Sequence, residues 1–139
     1  MSGDRLFLDT AFIQAQLNPR DSYHERAKQL LPRIRAATEV WITEAVLVEV
    51  GNAFSVSKRD MASRFINTCY RTANINVVTV TPKLLQHALK LYQSRPDKSW
   101  GLTDCISFVV MEMNGLTDAA TSDRHFTQAG FRALMLEPD

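Results

Sequence analysis

Leu6-Phe7-Leu8-Asp9-Thr10 is a short apolar run that stops on a carboxylate. Directly after it, Ala11, Phe12, Ile13 and Leu17 recur at helical spacing until Asn18-Pro19 ends the pattern. A brief, continuously apolar run bounded by polar residues suits a strand buried on both faces, as in a parallel sheet. The expected order is therefore strand, aspartate at its C-terminal end, then helix, which is how an α/β unit begins.

The remainder of the chain repeats this alternation. Asp21-Ser22 is placed to cap a second helix with the stripe Ala27, Leu30, Leu31 and Ile34, which Pro32 must bend or divide. Val40-Trp41-Ile42 reads as a second strand, and Thr43 as the cap of a helix from Glu44 to Val56 with Val46, Leu47, Val50 and Phe54 inward. A helix around Lys58 to Tyr70 turns Met61, Phe65, Ile66 and Cys69 to one side. Asn76 to Thr81 is rich in β-branched residues and predicts a third strand, and Thr81-Pro82 supplies the cap and first-turn proline of a helix through Tyr92. After a polar loop from Ser94 to Gly101, Thr103 is expected to cap a helix from Asp104 to about Met113 that is apolar nearly all round and belongs at the centre. Gly115 closes it. Ala119 to Ser122, ending at Asp123, and Ala133 to Leu136 complete a short central parallel sheet of about five strands with helices on both faces. In such sheets ligands bind beyond the strand C-termini, where the strand order reverses, and Asp9 and Asp123 both fall at strand ends.

The 139 residues are enough to bury one core, so a single domain over 1–139 is expected. A composition of 45% hydrophobic and 22% charged residues is that of an ordinary globular protein, without a run long and apolar enough to cross a membrane. Met1-Ser2-Gly3-Asp4-Arg5 leads into too short an apolar run for a secretory signal, which points to the cytoplasm. Cys69 and Cys105 form no C-x-x-C pair and sit in helical patterns, so both are expected as buried free thiols. A net charge of +1 excludes a polyanion binder that works by bulk electrostatics, so any nucleic-acid contact must use local patches.

Four acids occupy chemically suggestive places: Asp9 after the first strand, Glu49 within an apolar helix, Asp104 at the start of the most buried helix, and Asp123 after a later strand. Each has a bland explanation. Asp9 and Asp123 suit turns or N-caps, and Asp104 suits the positive end of a helix dipole. Glu49 is harder to dismiss, because Val46, Val48 and Val50 surround it and a buried carboxylate needs a partner. Brought together, the four could not all ionise without a cation, and oxygen ligands favour Mg²⁺ or Mn²⁺. A hard metal that leaves room for phosphate oxygens and water is the setting of phosphodiester hydrolysis.

With those acids in place, Leu6-Phe7-Leu8-Asp9-Thr10, the segment Thr43 to Ala53, Leu102-Thr103-Asp104-Cys105-Ile106-Ser107-Phe108 and Thr121-Ser122-Asp123-Arg124-His125-Phe126 together resemble the PIN-domain family. Within it, the single-domain VapC-type ribonuclease toxins of bacterial toxin-antitoxin pairs are the most similar group. The resemblance covers essentially the whole chain and implies a three-layer α/β/α fold. It implies that Asp9, Glu49, Asp104 and Asp123 are the acidic metal-binding and catalytic quartet, and that Thr10 and Asn52 orient ligands or substrate. Thr121 and His125, beside Asp123, are further candidates for substrate contact or for support of the acids. The implied activity is Mg²⁺- or Mn²⁺-dependent hydrolysis of RNA that leaves 5′-phosphate and 3′-hydroxyl ends. The implied partners are a small antitoxin protein and a second copy of the chain, as a homodimer.

Other assignments carry less. Asp118 is explained by turn chemistry after Gly115, and His24 and His87 lie far from any motif. Basic residues from Arg20 to Arg35 and Lys58 to Arg71, with Lys98 and Trp100, are candidates to line an RNA path, though solvated helix faces explain them too. The alternatives are a PIN-fold nuclease that acts in RNA processing or on DNA without an antitoxin, and a catalytically silent scaffold. Aspartyl phosphotransfer is excluded, because Ala11 stands where a D-x-D motif needs its second acid.

Overall fold

A computed structural model describes residues 3–138; Met1 and Ser2, at the head of the stretch read as lacking a leader, and Asp139 lie outside the described residues. Five strands form one parallel sheet: β1 (Arg5–Leu8), β2 (Glu39–Thr43), β3 (Ile75–Val78), β4 (Asp118–Ala120) and β5 (Arg132–Ala133). Their order is β3-β2-β1-β4-β5. The chain builds outward from β1 to β3, then returns to place β4 against the free side of β1, so the order reverses between β1 and β4. Helices cover both faces to make the three-layer α/β/α fold.

β1 is central because Leu6, Phe7 and Leu8 are all buried. Phe7 lies in register with Trp41 on one side and Ala119 on the other. The helices are α1 (Thr10–Leu17), α2 (His24–Ala36), α3 (Glu44–Ala53), α4 (Arg59–Arg71), α5 (Pro82–Ser94), α6 (Leu102–Met113) and the short α7 (Arg124–Gln128). α6 packs beside α5 and touches α3, α7 and β2, as its apolar surface predicts. Its Phe108 meets Trp100 and Phe126 edge-on, with ring centroids 5.1 and 4.9 Å apart. Among the described residues no helix is long and apolar enough to cross a membrane. Cys69 and Cys105 are free and buried, as expected.

Several boundaries differ from the sequence expectation, each for a local reason. Asp21 does not cap α2: its Oδ1 accepts from the Tyr23 N–H at 2.8 Å and its carbonyl from the His24 N–H at 3.0 Å, closing a turn before the helix starts. Pro32 lies inside an undivided α2, where it and Lys28, whose carbonyl loses the bond, are both exposed to water. α3 stops at Ala53, because Phe54 turns into the core and the Ser55 N–H and hydroxyl both donate to the Asn52 carbonyl. α6 starts at Leu102 with Gly101 as its N-cap, so Thr103 lies in the first turn and does not cap. β3 and β4 are shorter than expected, and of Ala133 to Leu136 only Ala133 is strand, since Leu134–Leu136 forms a 3₁₀ turn whose Met135 N–H reaches the Thr121 carbonyl. α7 was not anticipated. Phe126 is the one large apolar residue of its five, too little for a periodic signal.

Candidate active site

The strand C-termini on either side of the order reversal carry the acids. Asp9 follows β1 and takes the N-cap position of α1, yet its side chain caps nothing. Its Oδ2 instead accepts from the Thr121 hydroxyl at 2.7 Å, and Thr121 Oγ1 accepts in turn from the Asp123 N–H at 3.0 Å. Thr121, fully buried just beyond β4, therefore ties the β1 acid to the β4 acid. Asp123 caps α7, accepting from the His125 N–H at 2.9 Å. Glu49, half-buried in α3, accepts from the Thr10 hydroxyl at 2.6 Å, which joins the first turn of α1 to the middle of α3. The partner its burial demands is thus a hydroxyl.

Asp104 sits in the first turn of α6, where its Oδ2 accepts from the Gly101 N–H at 3.2 Å. The same oxygen lies 2.9 Å from His125 Nδ1, which is also 3.4 Å from Asp123 Oδ1, and His125 Nε2 lies 3.3 Å from Ser99 Oγ. The structural duties expected of Asp104 and Asp123 are real, since each holds a helix start. They coexist with a shared pocket of about 620 Å³ lined by Asp9, Thr10, Glu49, Asn52, Asp104, Asp123 and His125.

The electrostatics match this crowding. Burial is the main cause that lifts the Asp9 carboxyl from 3.8 to about 7; the Thr121 hydrogen bond opposes the rise, and repulsion from Asp104 and Asp123 adds to it. Asp104 is raised as well, first by burial, with His125 opposing and Asp123 repelling. No Lys or Arg lines the pocket among the described residues. Carboxylates crowded without a counter-cation fit a hard divalent ion. One ligand atom each from Asp104, Asp123 and His125 lie within 4.8 Å of one another, a span a single ion can bridge. Asp9 and Glu49 line the same pocket outside that trio.

Gln14 also lines the pocket and was not singled out in the sequence, although it stands one helical turn after Thr10. Ser99, which meets His125 from the α5–α6 loop, has no sequence signal. Asp118 lies at the opposite end of β4, held by Arg33 at 2.6 Å and Arg132 at 3.3 Å. His24 Nδ1 lies 2.7 Å from the Ala15 carbonyl, and His87 is exposed on α5. Two candidates for the RNA path are spent internally. Lys98 sits by Asp97 at 3.9 Å, and Trp100 is 6% exposed, with its indole N–H on Gln128 and Arg95 over its ring.

This fold is that of a known family. The PIN domain matches residues 6–132, and the chain belongs to the PIN domain family. Among solved structures it is similar to VapC20 of Mycobacterium tuberculosis, a toxin that cleaves the sarcin-ricin loop, with 25% identity over 91% of this chain and 96% of that one and a TM-score of 0.81. It also shares its fold with VapBC2 of Rickettsia felis, bound to a promoter DNA fragment (15% identity, 90% and 92% coverage, TM-score 0.61). VapBC-1 of nontypeable Haemophilus influenzae is a further fold relative (17% identity, 94% and 98% coverage, TM-score 0.60). A sequence search of curated proteins gives no match.

Proposed function

We propose that this protein is a metal-dependent endoribonuclease, the toxin of a toxin-antitoxin pair, with Asp9, Glu49, Asp104 and Asp123 as its catalytic and metal-holding acids. The observation that carries the reading is the convergence of four carboxylates on one cation-free pocket at the reversal point of a PIN-domain sheet. Those acids would hold Mg²⁺ or Mn²⁺, which would supply charge compensation for the scissile phosphate and lower the pKa of water so that it can be deprotonated for attack near neutral pH. The chain's own side chains set the stage. Thr121 aims Asp9, Thr10 aims Glu49, and the Gly101 N–H with His125 fixes Asp104. Asn52 and Gln14 line the same pocket and can contact substrate there. RNA as the substrate class draws support from VapC20, a toxin that cleaves the sarcin-ricin loop. An antitoxin partner draws support from the VapBC pairs of the same fold. The same reading includes self-association as a homodimer and action in the cytoplasm.

Cleavage of total cellular RNA with Mg²⁺, with Mn²⁺ and with EDTA, beside the Asp104→Asn variant, tests the reading. Discrete metal-dependent products missing from the variant are expected. Equal cleavage by both proteins, or none with either metal, overturns it.

A further inference from the structure

A polyanion that approaches the acid pocket meets carboxylates and no cation, so the attraction that seats it must come from outside. The pocket that shares Ala53 with it holds about 540 Å³ and is lined by Asn18, Pro19 and Arg20 from the α1–α2 turn and by Ser57 and Lys58 from the α3–α4 turn. Most cations elsewhere are already engaged. Arg5, Lys28, Arg33, Arg95, Lys98 and Arg132 pair with carboxylates, and the guanidinium groups of Arg59, Arg64 and Arg71 donate to backbone carbonyls. The Arg20 and Lys58 side chains have neither kind of partner among the described residues. Both are exposed and can swing toward a ligand. The backbone holds them in place: the Arg20 N–H donates to Asn18 Oδ1 at 3.1 Å, and Lys58 is the one non-glycine residue of positive φ (64°) among those described.

We infer that Arg20 and Lys58 form a phosphate-binding subsite that holds the RNA backbone beside the scissile position, so that the strand enters the acid pocket over Ala53. This rests on the nuclease reading above and adds to it the direction of the strand and the residues that grip it. An acidic peptide would meet the same two charges. A phosphodiester chain fits better, because the two pockets meet at Ala53 and a single strand carries a repeated phosphate that can serve both the cations and the acids.

The test uses the full chain carrying Asp104→Asn, so that binding is read without cleavage, and a fluorescein-labelled single-stranded oligoribonucleotide followed by anisotropy at several salt concentrations. Arg20→Gln with Lys58→Gln keeps side-chain length and removes both charges. Affinity is expected to fall about 10-fold and the salt slope to shrink by about 1.4, near 0.7 for each phosphate contact on a single strand. In the cleaving protein the same pair should raise KM and leave kcat within about 2-fold. Lys83→Gln with Lys90→Gln removes two equally unpartnered cations from α5 and should change neither quantity. RNA that is bound and cut with unchanged slope and KM in the Arg20/Lys58 variant overturns the subsite and leaves the nuclease reading standing. If the parent proteins neither bind nor cut RNA, the subsite falls together with that reading.

Discussion

Asp9 shows how one residue can be costly to the fold and, on the proposed nuclease reading, required by the site. A carboxyl raised from 3.8 to about 7 keeps its proton in the folded state over a range where the unfolded chain has released it. Its contribution therefore lowers stability as pH rises from about 4 to about 7, and the deficit is complete above that window. Asp9→Asn retains an acceptor for the Thr121 hydroxyl and abolishes the buried charge. In metal-free protein at pH 8 it should stabilise the fold by up to about 4 kcal/mol, fading to nothing below pH 4, while RNA cleavage disappears. Urea titrations of parent and variant across pH read this directly, and a variant less stable than the parent at pH 8, or a difference between them that does not change with pH, would refute the account. Thr121→Val tests the tie between the two strand ends. It keeps shape but leaves an Asp9 oxygen and the Asp123 N–H without their partner, at an expected cost of about 1–3 kcal/mol. A midpoint equal to the parent's would mean that Thr121 does not link the acids.

At the scale of elements, α6 carries one acid at its start and a positive-φ glycine at its end. Gly115, at φ 65°, lets the Leu116 N–H reach the Met111 carbonyl at 2.9 Å and its own N–H reach that of Glu112 at 3.3 Å, which satisfies the last turn. A Cβ added at this position would find no atom within 4 Å, so Gly115→Ala meets only the backbone penalty, about 1 kcal/mol, with metal affinity unchanged. Thermal unfolding and Mn²⁺ calorimetry on the variant separate the two effects, and an unaltered melting temperature would contradict the C-cap role. The strong sequence signals were of this local kind. The run Leu6–Leu8, the Thr43 and Thr81 caps, Pro82 and Gly115 each state their geometry within a few residues, and the structure follows them. What was not legible is either left open by the local pattern or depends on partners distant in the chain. Whether Asp21 caps a helix or closes a turn is settled over three residues with no hydrophobic periodicity to guide it. Thr121 donating to Asp9 spans 112 positions, and Ser99 meeting His125 spans 26. The four acids were nameable because each sits in a recognisable local frame; Thr10 and Thr121 stood in the same motifs as candidates, but which acid each hydroxyl meets was not legible, because aiming is a tertiary fact.

Across the whole molecule, the two ends of the sheet divide the work. The C-terminal ends of β1 and β4 hold like charges close together, which disfavours the fold until a cation arrives. At the N-terminal ends the charges alternate. Arg33 of α2 reaches Asp4 ahead of β1 at 2.7 Å and Asp118 of β4 at 2.6 Å, and Arg132 of β5 reaches Asp118 at 3.3 Å and Glu137 at 2.7 Å. Asp118 is 8% exposed, and these guanidinium groups are the partners its burial requires. The network clamps α2 and the edge strand β5 to β1 and β4 at the end remote from the acids, which offsets the cost of repulsion at the other. Arg33→Met keeps most of the side chain's bulk and removes the bridge, leaving Asp118 with Arg132 alone. It should destabilise the protein by about 1–3 kcal/mol, less than the full loss of a buried pair because one partner remains. Mn²⁺ affinity and RNA cleavage at a temperature where the variant is folded should stay within about 2-fold of the parent, since pairs at opposite sheet ends share no partner and their effects add. Urea unfolding, Mn²⁺ calorimetry and the cleavage assay on one preparation decide it. A parallel loss of metal affinity would show that the two ends are mechanically coupled, and that the N-terminal clamp belongs to the site.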